Sequence, residues 1–567
     1  AKKVTVSSRL ISSRAVSSAS DEQTARRGGD LFIAMPAQVD SFDPLKAKSE
    51  DLINLLGLIY ETPLKYESSG RLVNNLVDHI QLDETKTVFT FTLRDDVYFS
   101  DGTKLTSADI KYSAEKARAQ NETTAPEDGE EGEPQGGGAE TADGEANRYA
   151  RFGAAVASIE TPDERTVKLT ANKPGSAVLH FMTFPVRNEA LDAGELPVGT
   201  GPYKVESYEA GGQMALVQND LWWKEPPYIE KIVAKPVGGM EQKIEAEQSS
   251  MIDFVTTDVL YAGKYKQPQE TQVIDYMTNY YDCIIPNQIS VEMKDVNIRQ
   301  AISYAIDRRE ILSTVLLNHG VPTNLPIAPD FYAYESKYKI SDYDRKLARE
   351  LLQAAGYRSE PNGEGKVLRL DMIVLDDREQ AYKKEAAKAI RKQLAEVGIE
   401  LKILEQEQEG YMTLLEGGGF DLAYCSFYLD AVPDMEYLFG ASGAGNYGHV
   451  QNDEINQAIS VCAAAVTEDE MVAAYSDLQR VLTERVPQIG LYYRMNSILC
   501  ADGIKNIKNP RQNAVFANIS EWYISYTPGA ASAEPAEETP EQTEETPAAL
   551  QTGDGAGEET GDTAGSE

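Results

Sequence analysis

The glycine-rich stretch PVGTGPYKVESY, residues 197–208, is the first candidate for chemistry, because closely spaced glycines can form a phosphate-binding loop. Such a loop leads into the N-terminus of a helix, where backbone N–H groups bind the anion. Here Pro202 removes one of those donors, and the residues after it alternate as a strand does. No Lys-Ser or Lys-Thr pair closes the motif. The stretch therefore predicts a turn that leads into a strand.

The cysteines and histidines are too scattered in the sequence to predict a metal site or a catalytic histidine. No Cys-x-x-Cys pair is present, and the histidines are isolated from one another and from the cysteines. The residues concerned are Cys283, Cys425, Cys462 and Cys500, and His79, His180, His319 and His449. We therefore expect no metal and no cofactor.

The acidic residues raise the alternative of a hydrolase that uses a pair of carboxylates. With 91 Asp and Glu residues, pairs occur by chance, and none comes with a supporting motif. The net charge of −37 argues against a nucleic-acid partner, since phosphate neutralisation needs clustered Lys and Arg. We expect a protein that is not an enzyme and has no catalytic residues.

Much of the negative charge lies in two segments of low complexity. Residues 121–147 carry 9 acidic and no basic residues, and residues 531–567 carry 11 acidic and no basic residues. Both are rich in Gly, Pro, Thr and Glu, and they cannot bury enough apolar surface to offset the entropy of ordering. We expect both to be disordered, and we expect the basic, Ser-rich residues 1–29 to be a linker.

The elements that could position a site lie in a folded body of about residues 30–527. The stretch TVFTFTLR, residues 87–94, alternates as a half-buried strand, and residues 298–317 place apolar side chains on one helical face. Those residues predict a single helix with Gly320 just past its end. In the second half helices alternate with strands, which predicts α/β layers and a partly parallel sheet. No run of 18 apolar residues is present, so we expect no membrane span.

Several separated stretches carry a resemblance to a known family, and they keep that family's order over nearly the whole body. They are SFDP (41–44), FTFTLRDDVYFSDGTKLTSADIKYS (89–113), VGTGPYKV (198–205), NDLWW (219–223), IRQAISYAIDRREI (298–311), LARELLQAAGY (347–357) and FDLAYCSFYLDAVPD (420–434). The chain resembles the extracellular solute-binding proteins of ABC importers, family 5, in the branch that binds oligopeptides and dipeptides. The block LRDDVYFSDGTKLTSADI is the most specific of these stretches.

The resemblance implies a two-lobed α/β fold of the periplasmic-binding-protein type (type II, cluster C), with an extra domain inserted in the first lobe. By order of motifs, lobe I comprises residues 30–57, 187–282 and 495–527, the extra domain residues 58–186, and lobe II residues 283–494. Residues 1–29 and 528–567 flank the lobes, and the acidic insertion 121–147 falls in the extra domain.

The resemblance also implies a function, namely the capture of peptides between the lobes and their delivery to the permease subunits of an ABC importer. We expect a monomer outside the cytoplasm, either a lipoprotein anchored to the outer face of the cell membrane or a periplasmic protein. Two alternatives remain open. The same scaffold could bind nickel, haem, an opine or an oligosaccharide, or the protein could be a surface receptor that senses peptides.

The resemblance places the ligand's α-amino group against a carboxylate after a second-lobe strand, and Asp430 falls on that position. The sequence departs from the family just beyond, because Pro433-Asp434 stands where an acidic residue followed by proline is common. The turn after Asp430 is therefore expected to differ.

The other candidates for ligand binding are also implied by the resemblance, and they come from both lobes. They are Gln38 and Val39 before SFDP, Tyr411 as an aromatic residue facing the ligand, the backbone of Cys425, Ser426, Phe427 and Tyr428, and Arg494 as the partner of a peptide carboxylate. Phe427 stands where the family often has a pocket tryptophan. Cys283 and Cys425 fall near the expected cleft, and a disulfide between them is a further hypothesis, since an exported protein can form one.

Overall fold

A computed structural model gives the structure of the protein and describes residues 27–39, 41–119, 152–192, 194, 196–267, 270–338, 343–378 and 380–525. The predicted acidic insertion, the predicted tail and the predicted linker up to residue 26 lie outside the described residues. Within the described ranges, no helix is long and apolar enough to cross a membrane.

In the described residues, strands are spread along the whole chain. In order they are β1 (Asp30–Met35), β2 (Leu64–Tyr66), β3 (Leu72–Asn74), β4 (Val77–Leu82), β5 (Val88–Leu93), β6 (Val156–Asp163), β7 (Thr166–Ala171), β8 (Tyr203–Tyr208), β9 (Met214–Gln218), β10 (Lys231–Pro236), β11 (Phe254–Thr257), β12 (Thr271–Pro286), β13 (Gly320–Pro322), β14 (Leu368–Leu375), β15 (Ile399–Gln406), β16 (Leu422–Tyr428), β17 (Ile489–Ala501), β18 (Ile504–Lys505) and β19 (Tyr523–Ile524). Strand β5 confirms the alternation read from TVFTFTLR.

Helices alternate with the later strands, as the sequence predicts for the second half. Among the α-helices are Glu50–Leu56, Ser107–Ala119, Met240–Gln248, Val296–Ala305, Arg308–Thr314, Arg345–Ala354, Ala381–Ala395, Gln408–Gly417, Met435–Phe439, Asp453–Ala464 and Glu468–Arg485. The predicted single helix over 298–317 is wrong, because the chain forms two helices there. Asp307 accepts hydrogen bonds from the backbone N–H groups of Arg309 and Glu310 and so starts the second helix.

A large mixed sheet runs through most of the described chain, in the order β15-β14-β16-β12-β17-β11-β1-β10-β9-β8, with β13 paired to β17. β12 and β17 are the longest strands in this sheet and pair in antiparallel fashion along nearly their whole length. The register shifts between Met277 and Tyr281, and again between Asp282 and Cys283. The C-terminal half of β17 pairs with β11, whereas the C-terminal half of β12 pairs with β16.

A separate antiparallel sheet, in the order β4-β5-β7-β6, packs against the helix Ser107–Ala119. Its core is aromatic and includes Phe89, Phe91 and Phe152, each at most 1 % exposed. Strands β2 and β3 form a hairpin next to this sheet in sequence.

The stretch GTGPY forms a turn packed on the chain after the helix Glu50–Leu56, and β8 begins at Tyr203, as the sequence predicts. The N–H of Gly201 donates to the carbonyl oxygen of Ile59 at 2.8 Å. A Cβ at Gly199 would lie 2.1 Å from that same oxygen, so only glycine allows this approach. The glycines of the turn thus serve backbone packing.

Candidate functional site

A group of polar and aromatic side chains lies where β12, β16 and β17 meet, and we call it the crossing cluster. It consists of Tyr280, Asp282, Ser426, Tyr428 and Arg494. In the register of β12 and β16, Tyr280 is opposite Tyr428 and Asp282 is opposite Ser426. Since alternate residues of a strand share a face, these four side chains lie on one face of the sheet.

Asp282 is the acidic centre of the crossing cluster and is fully buried. The Ser426 hydroxyl donates a short hydrogen bond to its carboxylate, and Arg494 Nε lies 3.9 Å from the same oxygen. The Arg494 guanidinium also stacks over the ring of Tyr280, with its central carbon 4.1 Å from the ring centroid. A buried carboxylate needs such partners, because desolvation of the charge is otherwise costly.

Two buried tyrosines close the base of the crossing cluster. The hydroxyls of Tyr424 and Tyr492 lie 2.5 Å apart. Burial raises the pKa of both phenols well above the ordinary value, and the nearby Asp282 charge raises them further. Both phenols therefore stay neutral at physiological pH and act as hydrogen-bonding groups only.

Tyr428 joins β16 to two other parts of the chain. Its hydroxyl accepts hydrogen bonds from Asn279 Nδ2 and Asn513 Nδ2, each at 3.0 Å. Its ring packs edge-on against Tyr280, with the centroids 5.4 Å apart. The end of β16 is thus held by the middle of β12 and by a segment from near the C-terminus.

That segment, residues 511–515, contacts residues from distant parts of the chain, and we call it the C-terminal bridge. Arg511 donates to Asp330 at 2.7 Å, and the N–H of Val515 donates to Asn54 Oδ1 at 3.2 Å. Asp330 follows β13, whereas Asn54 lies in the helix Glu50–Leu56. The C-terminal bridge therefore connects the helix Glu50–Leu56 to the part of the chain that follows β13.

Asp430 lies two residues beyond the end of β16 and is half-buried. The next acid, Asp434, has a clear structural role, because its carboxylate accepts from the N–H of Tyr437 at 3.0 Å and caps the helix Met435–Phe439. This cap accounts for the departure from the family pattern at Pro433-Asp434.

The structure separates the other predicted ligand-binding residues into two groups. Ser426, Tyr428 and Arg494 meet in the crossing cluster. Cys425 and Phe427 lie on the opposite face of β16, in an apolar core that also holds Tyr411. Tyr411 is only 2 % exposed, and its hydroxyl donates to the Tyr424 carbonyl at 2.7 Å.

The first-lobe candidates lie on the loop that follows β1. Gln38 is exposed. Val39 is half-buried against the apolar core that packs on β1, β9 and β10. The two residues are therefore set apart in sequence and environment from the crossing cluster.

Cys283 and Cys425 are direct register partners on β12 and β16, and both are buried free thiols in this structure. Burial raises the pKa of the Cys425 thiol to about 12 and raises that of Cys283 well above its usual range. The hypothesised disulfide is not formed here.

Sequence reasoning missed Asn279, Tyr280, Asp282 and Asn513. One signal was available, since Asp282 stands in the run YYDCII, where an acid in an apolar strand needs buried partners. The partners themselves, Ser426 and Arg494, come from strands far away in sequence, and only the fold brings them together. Among the described residues, no group of three or more His, Cys, Asp or Glu is arranged to hold a metal ion.

Known proteins are similar to this chain over much of its length. A family model described as "Bacterial extracellular solute-binding proteins, family 5 Middle" matches residues 71–449. The oligopeptide-binding protein AppA of Bacillus subtilis is 22 % identical over 343 residues, which are 58 % of this chain and 62 % of that protein. The match thus spans less than two thirds of that relative.

A second relative and a solved structure extend the likeness. The glutathione-binding protein GsiB of Salmonella typhi is 23 % identical over 406 residues, which are 69 % of this chain and 72 % of that protein. The ABC transporter substrate-binding protein CtaP of Listeria monocytogenes has a TM-score of 0.69 at 18 % identity, over 88 % of this chain and 100 % of that chain. This structural likeness confirms the predicted two-lobed α/β fold.

Proposed function

The chain belongs to the bacterial extracellular solute-binding proteins of family 5, and on this premise we propose that it captures peptides between two lobes for an ABC importer. In this proposal the protein works outside the cytoplasm, either lipid-anchored or periplasmic, and it hands the peptide to membrane permease subunits. Its relatives named above are binding proteins, and the proposed capture needs no covalent chemistry.

The pairing of β16 is the observation that supports peptide capture best. Within the described residues, β12 pairs with β16 along all of Leu422–Tyr428, whereas β14 pairs with it only at Leu422 and Ala423. The Tyr424 carbonyl on that side accepts from Tyr411, and beyond Tyr424 the β14 side of β16 is an edge to which an extended peptide backbone can add. Backbone pairing suits a receptor for many peptides because every peptide offers the same groups.

Asp430 lies at the end of this edge and supplies the charge for one peptide terminus. An ammonium–carboxylate contact forms short, charge-assisted hydrogen bonds, and these strengthen when water is excluded. Arg494 and the buried Asp282 lie near each other in the crossing cluster, on one face of the same sheet. Side chains of the peptide would then occupy wet pockets in which water adapts to each one.

The proposed lobes meet where the register of β12 and β17 shifts. We place lobe I at residues 30–57, 187–282 and 495–527, the extra domain at 58–186, and lobe II at 283–494. Contacts made by both lobes exist only in the closed form, so a bound peptide favours closure. The closed shape is the form that the permease would recognise.

The test is native mass spectrometry of the purified full-length protein, with identification of any ligand released on denaturation. Asp430→Asn is compared with Asp434→Asn, which removes the same charge four residues away but keeps a side chain that can cap the helix. We expect co-purified peptides with the wild type and with Asp434→Asn, and their loss or weakening with Asp430→Asn. Equal retention in both variants would remove Asp430 from the site, and a released sugar, metal or haem without peptide would contradict peptide capture.

A further inference from the structure

The hairpin β2–β3 reaches from the proposed extra domain to the loop that carries Asp430. Its turn is closed by hydrogen bonds between Glu67 and Arg71 and between Gly70 and Glu67. Gly70 has a φ of +73°, and a methyl group added there would lie 2.9 Å from Phe331 Cδ2 and 3.2 Å from the carbonyl oxygen of Ala431. Ala431 directly follows Asp430, so the hairpin tip lies against the backbone next to the candidate anchor.

Three further contacts dock this tip. The N–H of Tyr332 donates to the carbonyl oxygen of Ser69 at 2.8 Å. Arg71 forms a close ion pair with Glu468, and its guanidinium carbon lies 5.2 Å from the centroid of the Tyr332 ring. Because a backbone hydrogen bond, an ion pair and a cation–π contact coincide, the tip is held in one position.

A second contact between the same parts of the chain makes the docking rigid. Ser176 donates to the carbonyl oxygen of Ala465 through its N–H at 3.0 Å and through its hydroxyl at 2.6 Å. A Cβ at Gly175, whose φ is +122°, would lie 2.0 Å from the carbonyl oxygen of Ala463. The proposed extra domain therefore has two separate attachment points, the hairpin tip and residues 175–176.

The apolar side chains behind the Asp430 loop transmit the position of the hairpin. Phe331, Leu429 and Met435 belong to one buried core cluster, with exposures of 4 %, 5 % and 4 %. Gly70 therefore contacts both the backbone of the loop and the ring that supports it from below. A closely packed core of this kind transmits strain, so displacement of one member is felt by its neighbours.

We propose that Gly70 and the β2–β3 hairpin are positioning elements of the ligand site, which fix the Asp430 loop from the extra domain. This inference rests on the proposed function for its effect on peptide affinity. The inference also states that the hairpin restricts the motion of residues 429–434, and this statement can be tested without any ligand.

The test compares Gly70→Ala with Gly211→Ala in the full chain. Both glycines have a φ of +73°, but a methyl group at Gly211 would meet nothing within 4 Å. Alanine therefore has the same unfavourable φ at both positions, whereas the contact with Phe331 and Ala431 is present only at Gly70. Hydrogen exchange of residues 429–434 is measured in the ligand-free proteins, and the affinity for tetra-alanine is measured by calorimetry.

We expect faster exchange over residues 429–434 in Gly70→Ala alone, with a loss of affinity of about fivefold or more, the lower end of typical coupling between sites. Equal exchange in the two variants would overturn the inference whether or not peptide binds. Faster exchange in Gly70→Ala, in a protein that binds no peptide even as wild type, would support the positioning role and contradict the proposed function. If Gly70→Ala fails to fold, Arg71→Ala is compared with Arg345→Ala, which breaks a surface ion pair with Glu396 elsewhere.

Discussion

Asp430 and Asp434 lie four residues apart on one loop, and their surroundings differ. Asp434 uses its carboxylate on the N–H of Tyr437 and starts a helix. Asp430 lies between the end of β16 and that helix, beside the backbone that Gly70 contacts. The residue type alone does not show which of the two acids caps the helix, whereas the structure does.

The buried thiols give a pH dependence that can be checked at the residue scale. Burial raises the pKa of Cys425, Cys462 and Cys500 to about 12 from an ordinary value of 9.0. In the folded protein these thiols stay protonated at pH 9–10, whereas in the unfolded chain they begin to ionise. Each thiol therefore stabilises the fold fully below about pH 9, and that contribution is lost as the pH rises towards 12.

We expect the free energy of unfolding to fall between pH 9 and pH 10 by up to about 1.4 kcal/mol per thiol. Urea titrations at pH 8, 9 and 10 measure it, and a Cys462→Ala, Cys500→Ala double variant should show a smaller fall. Rapid labelling of the native protein by a thiol reagent at pH 8 would contradict this account of burial.

At the scale of elements, the sequence predicts whether a segment is a helix or a strand better than it predicts where that helix or strand begins and ends. The alternation in β5 and the glycine turn before β8 follow from local patterns that the fold keeps. The helix over 298–317 was wrong because Asp307 offers the backbone a new N-terminus inside an unbroken apolar stripe. The edge of β16 could not be predicted, since it depends on where β14, a strand remote in sequence, stops pairing.

If a peptide pairs with the edge of β16, only alternate backbone amides of the peptide contribute hydrogen bonds. A strand added beside β16 turns alternate N–H groups towards β16 and the others away from it. We expect one N-methyl group on an inward amide of a bound tetrapeptide to weaken binding about tenfold, the value of one lost hydrogen bond. The same group on the neighbouring, outward amide should have little effect. Calorimetry measures the affinities of the two methylated peptides. Equal losses of affinity for methylation at the two adjacent amides would rule out strand addition.

At the scale of the whole molecule, β12 and β17 lie in the middle of the large sheet, and the C-terminal bridge joins the helix Glu50–Leu56 to the chain that follows β13. The crossing cluster lies on β12, β16 and β17, and its residues come from positions as far apart in sequence as Tyr280 and Arg494. For this reason the sequence could suggest Asp430 and Arg494 by resemblance but could not assemble the crossing cluster around them. The order of the family motifs along the sequence was enough to predict the fold.

Substitution of Arg511 tests the role of the C-terminal bridge. Its ion pair with Asp330 joins the bridge to the part of the chain that follows β13, so its loss should favour the open form. We expect Arg511→Ala to weaken peptide binding about fivefold and to enlarge the radius of gyration of the liganded protein in X-ray scattering. Arg480→Ala, which removes ion pairs within the helix Glu468–Arg485 and one with Glu454 on the preceding helix, is the control and should change neither value. An unchanged Arg511→Ala protein would mean that the bridge does not favour closure.

The central claim is that a peptide's free amino terminus is bound by Asp430, and one calorimetric cycle tests it most directly. A peptide identified from the purified protein is titrated, free and N-acetylated, into the wild type and into Asp430→Asn. We predict that acetylation weakens wild-type binding by about 1.5–3 kcal/mol, as expected for a hydrogen bond to a charged group, and that it has little effect in Asp430→Asn. The same loss on acetylation in both proteins would contradict the account.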